Sequence, residues 1–372
     1  GRKLCLSRSL DCMGLRSSKQ KMDKKKSDEE DTRVELGEKL GLDSFDLLRV
    51  IGKGSFGKVY QVRQKSTKKI YALKVLKKEH LQKRNQITHT KTERKVLQDI
   101  NHPFIVSLRY AFQTEARLYM VLDYFTGGEL FFHLKNGGRF TIERGMFYCA
   151  ELTCALECLH DNDIIYRDLK PENVLLDEEG HVRLTDFGLS KSSVVGNTLT
   201  HTFCGTPEYL APEVIQGKPY NKTVDWWSLG TMTYEMICGL PPFYSTNTHK
   251  MYTKIIMSQL KFPKHLPEVA MDFLAGLLNR NPKERLGVNG GKEVRAHKVF
   301  SKINWTKLLQ KAVDPPFKPK HEKKGKEDVT NIEEEFLKEL PKETPINSSR
   351  LDESVKNAFQ GFTFEQKSSL EK

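Results

Sequence analysis

The stretches YRDLKPEN and TDFGLSK each place acidic, basic and amide side chains within a few residues of one another. Asp168 has a side chain that can accept a proton from a hydroxyl, and Lys170 has one that can neutralise a transferring negative charge. Asn173 and Asp186 offer hard oxygen ligands that suit Mg²⁺ bridging phosphates. Phosphoryl transfer needs these side chains, because it depends on positioning and charge neutralisation more than on covalent chemistry. Each residue alone could equally be an ordinary turn residue.

A glycine-rich stretch, IGKGSFGKVY, precedes them and fits the pattern G-x-G-x-x-G. A dinucleotide-binding fold would need these glycines to open a helix. A strand pattern follows them instead, so we predict a hairpin flap. Gly52, Gly54 and Gly57 would let backbone amides approach phosphates without obstruction by a Cβ atom. On this motif alone, an ordinary glycine-rich hairpin is as good an interpretation.

Lys74, in the strand-like stretch IYALKVL, follows the glycines. A lysine within an apolar strand costs desolvation energy unless an anion meets it. Glu93, in the next helical stretch, is the candidate partner. The alternative is a surface lysine whose charged end reaches water.

The elements that must position these residues form two units. From about 45 to 125, the alternating stretches KVYQVRQK, IYALKVL and RLYMVLDYF predict strands, and THTKTERKVLQDI predicts one main helix that ends before Pro103. After Gly127 and Gly128 the pattern becomes helical, beginning with the buried helix ERGMFYCAELTCALECLHD. This larger helical unit extends from about 126 to 303, so the fold class is α+β.

The two ends of the chain differ from these units. Residues 1–44 are polar and lysine-rich, and we predict a flexible basic arm. Residues 304–372 form a tail that is rich in proline and charge and that closes on AFQGFTFE.

Composition excludes several classes. The seven cysteines are odd in number and contain no C-x-x-C, which disfavours a disulfide framework or a zinc site and favours reduced thiols in the cytoplasm or nucleus. No apolar run approaches the ~18–20 residues that span a bilayer, and no secretory signal is visible. The net charge of +13 favours a basic surface over nucleic-acid binding, since no basic stretch is rich in aromatic residues. A nucleic-acid binder and a non-catalytic scaffold stay open as alternatives.

The motifs together are far more specific than any one of them. The ordered set GxGxxGxV, Lys, Glu, RDxxxxN, DFG and APE matches the protein-kinase signature in order and spacing. Over roughly 46–303 the chain therefore resembles the eukaryotic protein kinases. Tyr166 in the usual His position, TFCGTPEYLAPE and the tail are similar to the AGC group. Within this group, the chain resembles serum- and glucocorticoid-regulated kinases in the stretches GLPPFYSTNTHKMY and KPYNKTVDWWSLG. It resembles ribosomal-protein kinases in HTKTER and INWTKLL, and it is also similar to protein kinase B.

The resemblance implies a bilobal kinase fold, with a β-rich N-lobe (45–125), a helical C-lobe (126–303) and an AGC tail, and ATP and Mg²⁺ as cofactors. It implies that Asp168 is the base, that Lys170 contacts the γ-phosphate, and that Asn173 and Asp186 bind metal. Lys74, paired with Glu93, would hold the α- and β-phosphates. Leu122 would be the gatekeeper, Asp123 to Phe125 the hinge, Arg285 the partner of Glu213, and Asp225 the brace of the catalytic loop. The implied nucleotide-binding residues are Ile51, Gly52, Gly54, Ser55, Phe56, Gly57, Val59, Ala72, Lys74, Leu122, Asp123, Phe125 and Glu129.

Substrate preference follows from three glutamates. Glu129, Glu172 and Glu235 match positions that receive arginines before the target residue in this group, because carboxylates pair well with guanidinium groups. The resemblance therefore implies phosphorylation of Ser or Thr in R-x-R-x-x-S/T-like protein substrates. Each glutamate could otherwise be an exposed surface carboxylate.

Three phosphorylation sites are implied. Thr202 lies in the activation loop, where Arg167, Lys191 and His89 would clamp its phosphate. Thr363 lies in FQGFTF, whose Phe359 and Phe362 are expected to dock on the small lobe near the helix of Glu93. Thr344 is the turn-motif candidate, with Ser348 and Ser349 as alternatives.

The tail also departs from the family pattern. Ile332 and Glu333, in NIEEEF, replace a Phe-Asp pair that usually reaches the adenine pocket, which leaves contact between tail and nucleotide an open question. As partners we expect protein substrates and an upstream activating kinase that docks through the hydrophobic motif. We expect no nucleic acid and a monomer in the cytoplasm, with the nucleus also possible; membrane contact stays open.

Overall fold

The computed structural model describes residues 40–54, 57–192, 199–322, 325–343 and 357–366. The predicted arm before residue 40, Ser55, Phe56, and the turn-motif candidates Thr344, Ser348 and Ser349 lie outside the described residues.

The small lobe is a twisted antiparallel sheet covered by helices. Its first five strands are β1 (Phe45–Gly54), β2 (Gly57–Gln64), β3 (Ile70–Lys77), β4 (Leu108–Gln113) and β5 (Arg117–Asp123). They lie in the order β1-β2-β3-β5-β4. Alternate residues such as Val50, Val62, Leu73 and Val121 are fully buried on one face, which is the period-2 pattern that predicted strands. Strand β4 was not predicted from the sequence; it pairs with β5 in antiparallel fashion.

Two helices, rather than the one main helix that was predicted, follow β3. They are α1 (Lys78–Lys83) and α2 (Ile87–Asp99). Between them Asn85 has a positive φ of 53°, a conformation that asparagine tolerates better than most residues. Helix α2 buries Glu93, Val96 and Leu97 toward the sheet. It ends where Ile100 becomes extended, just before Pro103.

The large lobe is helical around two long central helices. Its helices are α3 (Leu130–Gly137), α4 (Ile142–Asp161), α5 (Pro212–Ile215), α6 (Thr223–Cys238), α7 (Thr248–Met257), α8 (Glu268–Leu277) and α9 (Gly291–Arg295). Thr141 caps α4 by accepting a hydrogen bond from the Arg144 amide, and Gly239, with a φ of 94°, ends α6. Cys149 and Cys154 are buried on α4, whereas Cys158 is only partly buried.

A small hairpin in this lobe positions the charged loops. Strands β6 (Val174–Leu176) and β7 (Val182–Leu184) pair in antiparallel fashion. A 3-10 turn, Pro171–Asn173, leads into β6. Strand β7 leads directly to Asp186. Short 3-10 turns also occur at Leu42–Ser44, Pro207–Tyr209 and Lys298–Phe300.

The tail contains short regular elements and returns to the small lobe. These elements are α10 (Trp305–Leu309), α11 (Glu334–Leu337) and β8 (Phe364–Glu365). Strand β8 pairs with β4 and becomes the edge of the sheet, with Ala111 opposite Phe364. Among the described residues no helix is long and apolar enough to cross a membrane. The mixed α and β architecture with a helical large lobe confirms the predicted fold class.

Candidate active site

The predicted catalytic loop holds Asp168 in a network of hydrogen bonds. Its Oδ2 atom accepts from Lys170 Nζ at 2.9 Å and from Asn173 Nδ2 at 3.0 Å. Its Oδ1 atom accepts from the hydroxyl of Thr206 at 3.0 Å. The carboxylate is therefore fixed in place beside one ammonium group.

The backbone of this loop is braced from α6. The fully buried Asp225 accepts hydrogen bonds from the amides of Tyr166 at 2.9 Å and Arg167 at 2.8 Å. The ring of His160 lies 2.7 Å from the same carboxylate. Arg167 and Asp186 both have positive φ, 70° and 55°, which is a strained backbone that surrounding contacts must hold. Asp225 thus does what the resemblance implied.

The second predicted brace is also present. Arg285, which is fully buried, forms a bidentate ion pair with Glu213 at 2.7 and 2.9 Å. Such a planar pair fixes geometry better than a single contact, so it ties α5 to the loop before α9.

Lys74 connects three elements across the cleft. Its Nζ atom lies 2.6 Å from Glu93 on α2 and 3.4 Å from Asp186 after β7. Burial alone would lower the pKa of Lys74, but Asp186 and Glu93 together raise it above its usual value. Lys74 in turn lowers the pKa of Asp186. Both groups are therefore charged at neutral pH, and the predicted Lys74–Glu93 pair exists in the structure.

Two hard oxygen ligands face the same space. The Asp186 side chain is 49% exposed to the cleft, and Asn173 lies beside Asp168. Within the described ranges, no group of three or more His, Cys, Asp and Glu residues could hold a metal ion alone. Oxygens of Asn173 and Asp186 suit Mg²⁺, which takes few protein ligands and completes its shell with phosphates and water. The donor set thus fits Mg²⁺ bound together with a nucleotide.

The cleft between the lobes has a volume of about 570 Å³. All predicted nucleotide-binding residues that the structure describes border it; these are Ile51, Gly52, Gly54, Gly57, Val59, Ala72, Lys74, Leu122, Asp123, Phe125 and Glu129. Several residues that were not predicted, such as Val106, Leu175 and Thr185, also border it. They are ordinary apolar or small residues within their stretches, so no local motif distinguishes them. Ile332, whose contact the sequence left open, borders it as well.

The glycines of the flap differ in what they accommodate. A Cβ atom at Gly57 would lie 1.7 Å from the carbonyl oxygen of Val75, so β3 packs too closely for any side chain there. At Gly54 a Cβ atom would meet nothing within 4 Å among the described atoms. Glycine is therefore required at position 57 by the packing of the sheet, whereas the space beside Gly54 is open to a ligand.

The tail reaches the cleft despite its atypical sequence. Asn331 donates from Nδ2 to the carbonyl of Thr126 at 3.0 Å, and the hydroxyl of Tyr124 donates to the carbonyl of Asp328 at 2.7 Å. These bonds hold the tail on the hinge and place Ile332 in the cleft wall. The NIEEEF segment therefore does reach the cleft that would hold the nucleotide.

Three carboxylates have raised pKa values, and two of them, Glu129 and Glu172, border the cleft. Burial, followed by repulsion from Glu172 and Glu333, raises the pKa of Glu129 to about 7. Burial also raises the pKa of Glu235 to about 7 and raises that of Glu172. One oxygen of Glu172 is buried without a hydrogen-bond partner among the residues that the structure describes. Glu172 therefore lies close enough to interact with both Glu129 and Glu235, and the hydroxyl of Tyr209 donates to Glu235.

Thr202 lies exposed beside predicted cations. Its carbonyl accepts from the hydroxyl of Tyr220 at 2.6 Å, and Arg167 donates to that hydroxyl at 3.3 Å. Lys191 donates to the hydroxyl of Thr200 at 2.8 Å. Burial, followed by the charge of Arg167, lowers the pKa of His89, which places this ring near the guanidinium. Arg167 and Lys191 therefore bond to Tyr220 and Thr200, which lie next to Thr202 in space or in sequence.

The aromatic motif of the tail is docked on the small lobe. Phe359 and Phe362 are 0% and 3% exposed and belong to the core that includes Val96 and Leu97 of α2. Gln113 donates from Nε2 to the carbonyl of Phe359 at 2.8 Å. The motif occupies the place that the resemblance implied.

Comparisons with known proteins agree with this geometry. The protein kinase domain family matches residues 45–300, and the protein kinase C terminal domain matches residues 324–364. The chain belongs to the protein kinase family and, within it, to the AGC group of serine/threonine kinases, which confirms the resemblance.

Individual relatives show how far this similarity extends. Serine/threonine-protein kinase gad8 of Schizosaccharomyces pombe is 49% identical over 332 residues, 89% of this chain and 58% of the relative. Protein kinase 2 of Dictyostelium discoideum is 53% identical over 324 residues, 87% of this chain and 67% of the relative. Serine/threonine-protein kinase sgk-1 of Caenorhabditis elegans is 50% identical over 316 residues, which are 83% of this chain and 68% of the relative. The chain spans between 47% and 58% of the length of four fungal kinases that it matches.

Proposed function

We propose that this chain is an active kinase that transfers the γ-phosphate of ATP to serine or threonine in protein substrates. The observation that supports this most is the position of Lys74, bonded to Glu93 and near Asp186. It brings sheet, helix α2 and the loop after β7 together around one cleft. A protein with these residues in separate surface turns would not carry such an arrangement.

Each of the polar residues in the cleft would have a separate role in the reaction. Asp168 accepts the proton of the substrate hydroxyl while the oxygen bonds to the γ-phosphorus and the bond to the β–γ bridging oxygen breaks, so that ADP leaves. Lys170, 2.9 Å from Asp168, neutralises charge on the transferred group. Lys74 holds the α- and β-phosphates. When bound, Mg²⁺ supplies positive charge to the phosphate oxygens, and Asn173 and Asp186 would hold it.

The substrate class that we propose is an R-x-R-x-x-S/T-like sequence. Glu129 and Glu172 are half-buried and Glu235 is buried, and one oxygen of Glu172 lacks a donor within the described residues. A guanidinium group carries several N–H donors in a planar fork. Arginines of the substrate would therefore satisfy this oxygen and relieve the repulsion among the glutamates.

Phosphorylation would regulate the enzyme at three positions. At Thr202, a phosphate would attract Arg167, Lys191 and a protonated His89. At Thr363, Arg94 already donates to the residue's carbonyl at 3.3 Å, so a phosphate there would lie near its charge. Thr344 is the proposed turn-motif site.

The remaining proposals concern binding partners and cellular localisation. The docked Phe359 and Phe362 support an upstream activating kinase that recognises this motif when it is released. The reduced cysteines are compatible with a cytoplasmic protein that also enters the nucleus. We propose a monomer that binds protein substrates and no nucleic acid.

A peptide-array assay tests the function. Purified chain phosphorylated on Thr202 should phosphorylate serine peptides with arginines before the target, and replacing those arginines by alanine should lower the rate. The Asp168→Asn variant, which keeps the size of the side chain, should transfer no phosphate. Absence of transfer by the phosphorylated wild type would refute the proposal, and full cellular function of Asp168→Asn would favour the scaffold alternative.

A further inference from the structure

The side chain of Arg183, on β7, lies against the hinge between the lobes. Its guanidinium carbon is 4.9 Å from the centroid of the Phe125 ring, within the range of a cation–π contact. Phe125 borders the cleft. Strand β7 leads to Asp186 two residues after its end, so this pair is where the hinge meets the strand that precedes a predicted metal ligand.

Arg183 is anchored by charge rather than by a hydrogen bond, since its buried Nε atom has no hydrogen-bond partner among the described residues. Its Nε atom lies 3.6 Å from Asp177 Oδ2, and Lys311 at the start of the tail also pairs with Asp177. Asp177 accepts hydrogen bonds from two backbone amides, those of Gly180 at 3.1 Å and His181 at 2.8 Å. The carboxylate is almost fully buried. Because Asp177 cannot move freely, the guanidinium has one preferred position, against the Phe125 ring.

We propose that Arg183 is a positioning residue for the nucleotide. It supports the Phe125 ring from β7 and thereby fixes the hinge backbone that borders the cleft. The identity of the ligand rests on the proposed kinase function, but the support of the hinge rests on contacts alone. Loss of this support weakens nucleotide binding. It leaves the transfer step unchanged, because the hydrogen bonds of Asp168 and Lys170 do not involve Arg183.

Equilibrium binding of Mg·ADP, measured by titration calorimetry, tests the proposal without requiring catalysis. We expect Arg183→Met to weaken binding about three- to tenfold, the range that a partly desolvated cation–π contact supports. In the kinase assay the KM for ATP should rise by the same factor, while kcat stays within about twofold. Arg183→Lys keeps the charge but loses the planar stacking surface, so its effect should be intermediate.

A matched control distinguishes hinge support from general stability. Arg295 has similar surroundings, with Glu157 at 3.0 Å and the Trp305 ring at 5.5 Å, but its ring partner Trp305, unlike Phe125, does not border the cleft. Arg295→Met should leave Mg·ADP binding unchanged. Equal weakening by the Arg295 and Arg183 variants would overturn the proposal.

A double-mutant cycle identifies the route of the effect. In a Phe125→Val background, Arg183→Met should weaken Mg·ADP binding by less than about twofold, because its contact is already absent. An undiminished effect in that background, or no effect in the Phe125 background, would overturn the proposal. If Arg183→Met does not fold, the same cycle is run with Arg183→Lys and is judged in the same way. A wild type that binds Mg·ADP but transfers no phosphate would refute the kinase function while the cycle still decides the role of Arg183.

Discussion

The two segments that we propose as switches are held by different forces. The tail motif is held by apolar burial, since Phe359 and Phe362 are almost inaccessible to solvent. The activation segment presents an exposed Thr202 near Arg167 and Lys191. Burying a phenylalanine contributes about 1.5–3 kcal/mol, whereas neighbouring cations repel one another until an anion arrives. From this comparison we expect the tail to dock without a phosphate and the activation segment to need one.

The largest expected effect is at the charged segment. Thr202→Ala removes the group that would carry a phosphate. Two lost charge-assisted hydrogen bonds, at about 1.5 kcal/mol each, lower kcat/KM on the order of 100-fold. The measurement is peptide phosphorylation after treatment with an activating kinase.

The control for this variant is Thr248→Ala, an exposed threonine at the start of α7. It should keep wild-type activity. A loss of less than threefold in Thr202→Ala would contradict the importance of the charged clamp and remove the contrast between the two segments.

The next effect is at the apolar segment. Phe359→Ala loses about 3 kcal/mol of packing, so the tail undocks and α2 loses a support. We expect kcat/KM to fall about tenfold and hydrogen exchange in β4 to increase. Leu340→Ala, at a tail residue that is 72% exposed, should change neither. Unchanged exchange in Phe359→Ala would show that the motif is not held by apolar burial.

A smaller effect is expected when the pH is changed, because pH alters the charge of the glutamates but not the apolar burial of the tail. Glu129 and Glu235 have pKa values of about 7, so both are largely protonated at pH 6 and largely ionised at pH 8. The ionised forms attract arginine, and the KM for an arginine-containing peptide should therefore be several-fold higher at pH 6 than at pH 8.

Two comparisons sharpen the pH prediction. Glu129→Gln should raise the KM at pH 8 and flatten the pH dependence, whereas docking of the tail, followed by hydrogen exchange, should stay constant over the same range. A KM that falls as the pH is lowered would contradict the assignment of these glutamates.

The smallest effect is expected at Thr363. Its side chain is exposed, and Arg94 bonds to its carbonyl rather than to its hydroxyl. Thr363→Val should therefore leave the unphosphorylated enzyme within about twofold of wild type. It should remove only the gain from a phosphate, which is about fivefold for a partly exposed ion pair. A loss of activity as large as that of Phe359→Ala would mean that charge, not burial, docks the tail.

Residues in local motifs were predictable from the sequence. Asp168, Asn173 and Lys74 stand in stretches whose spacing alone indicates chemistry, and the structure brings them to one cleft. The alternating pattern also predicted β2, β3 and β5, because burial on one face of a strand leaves a period of two.

Long-range contacts were not predictable in the same way. Strand β4 follows a proline and carries Arg109 and Tyr110 at half-buried positions, so its pattern is weak. Ile332 reaches the cleft because Asn331 bonds to the hinge from far along the chain, and Arg183 meets Phe125 only through tertiary folding. Such pairings depend on packing between distant segments rather than on local propensity.

The pairing of β8 with β4 has a consequence for solubility. Two residues of the tail satisfy backbone groups at what would otherwise be the open edge of the sheet. An uncovered edge strand is a template on which another chain can pair. Any process that removes or releases the tail would thus also expose a site for self-association, and a truncated chain would be expected to aggregate at concentrations where the full chain stays dispersed.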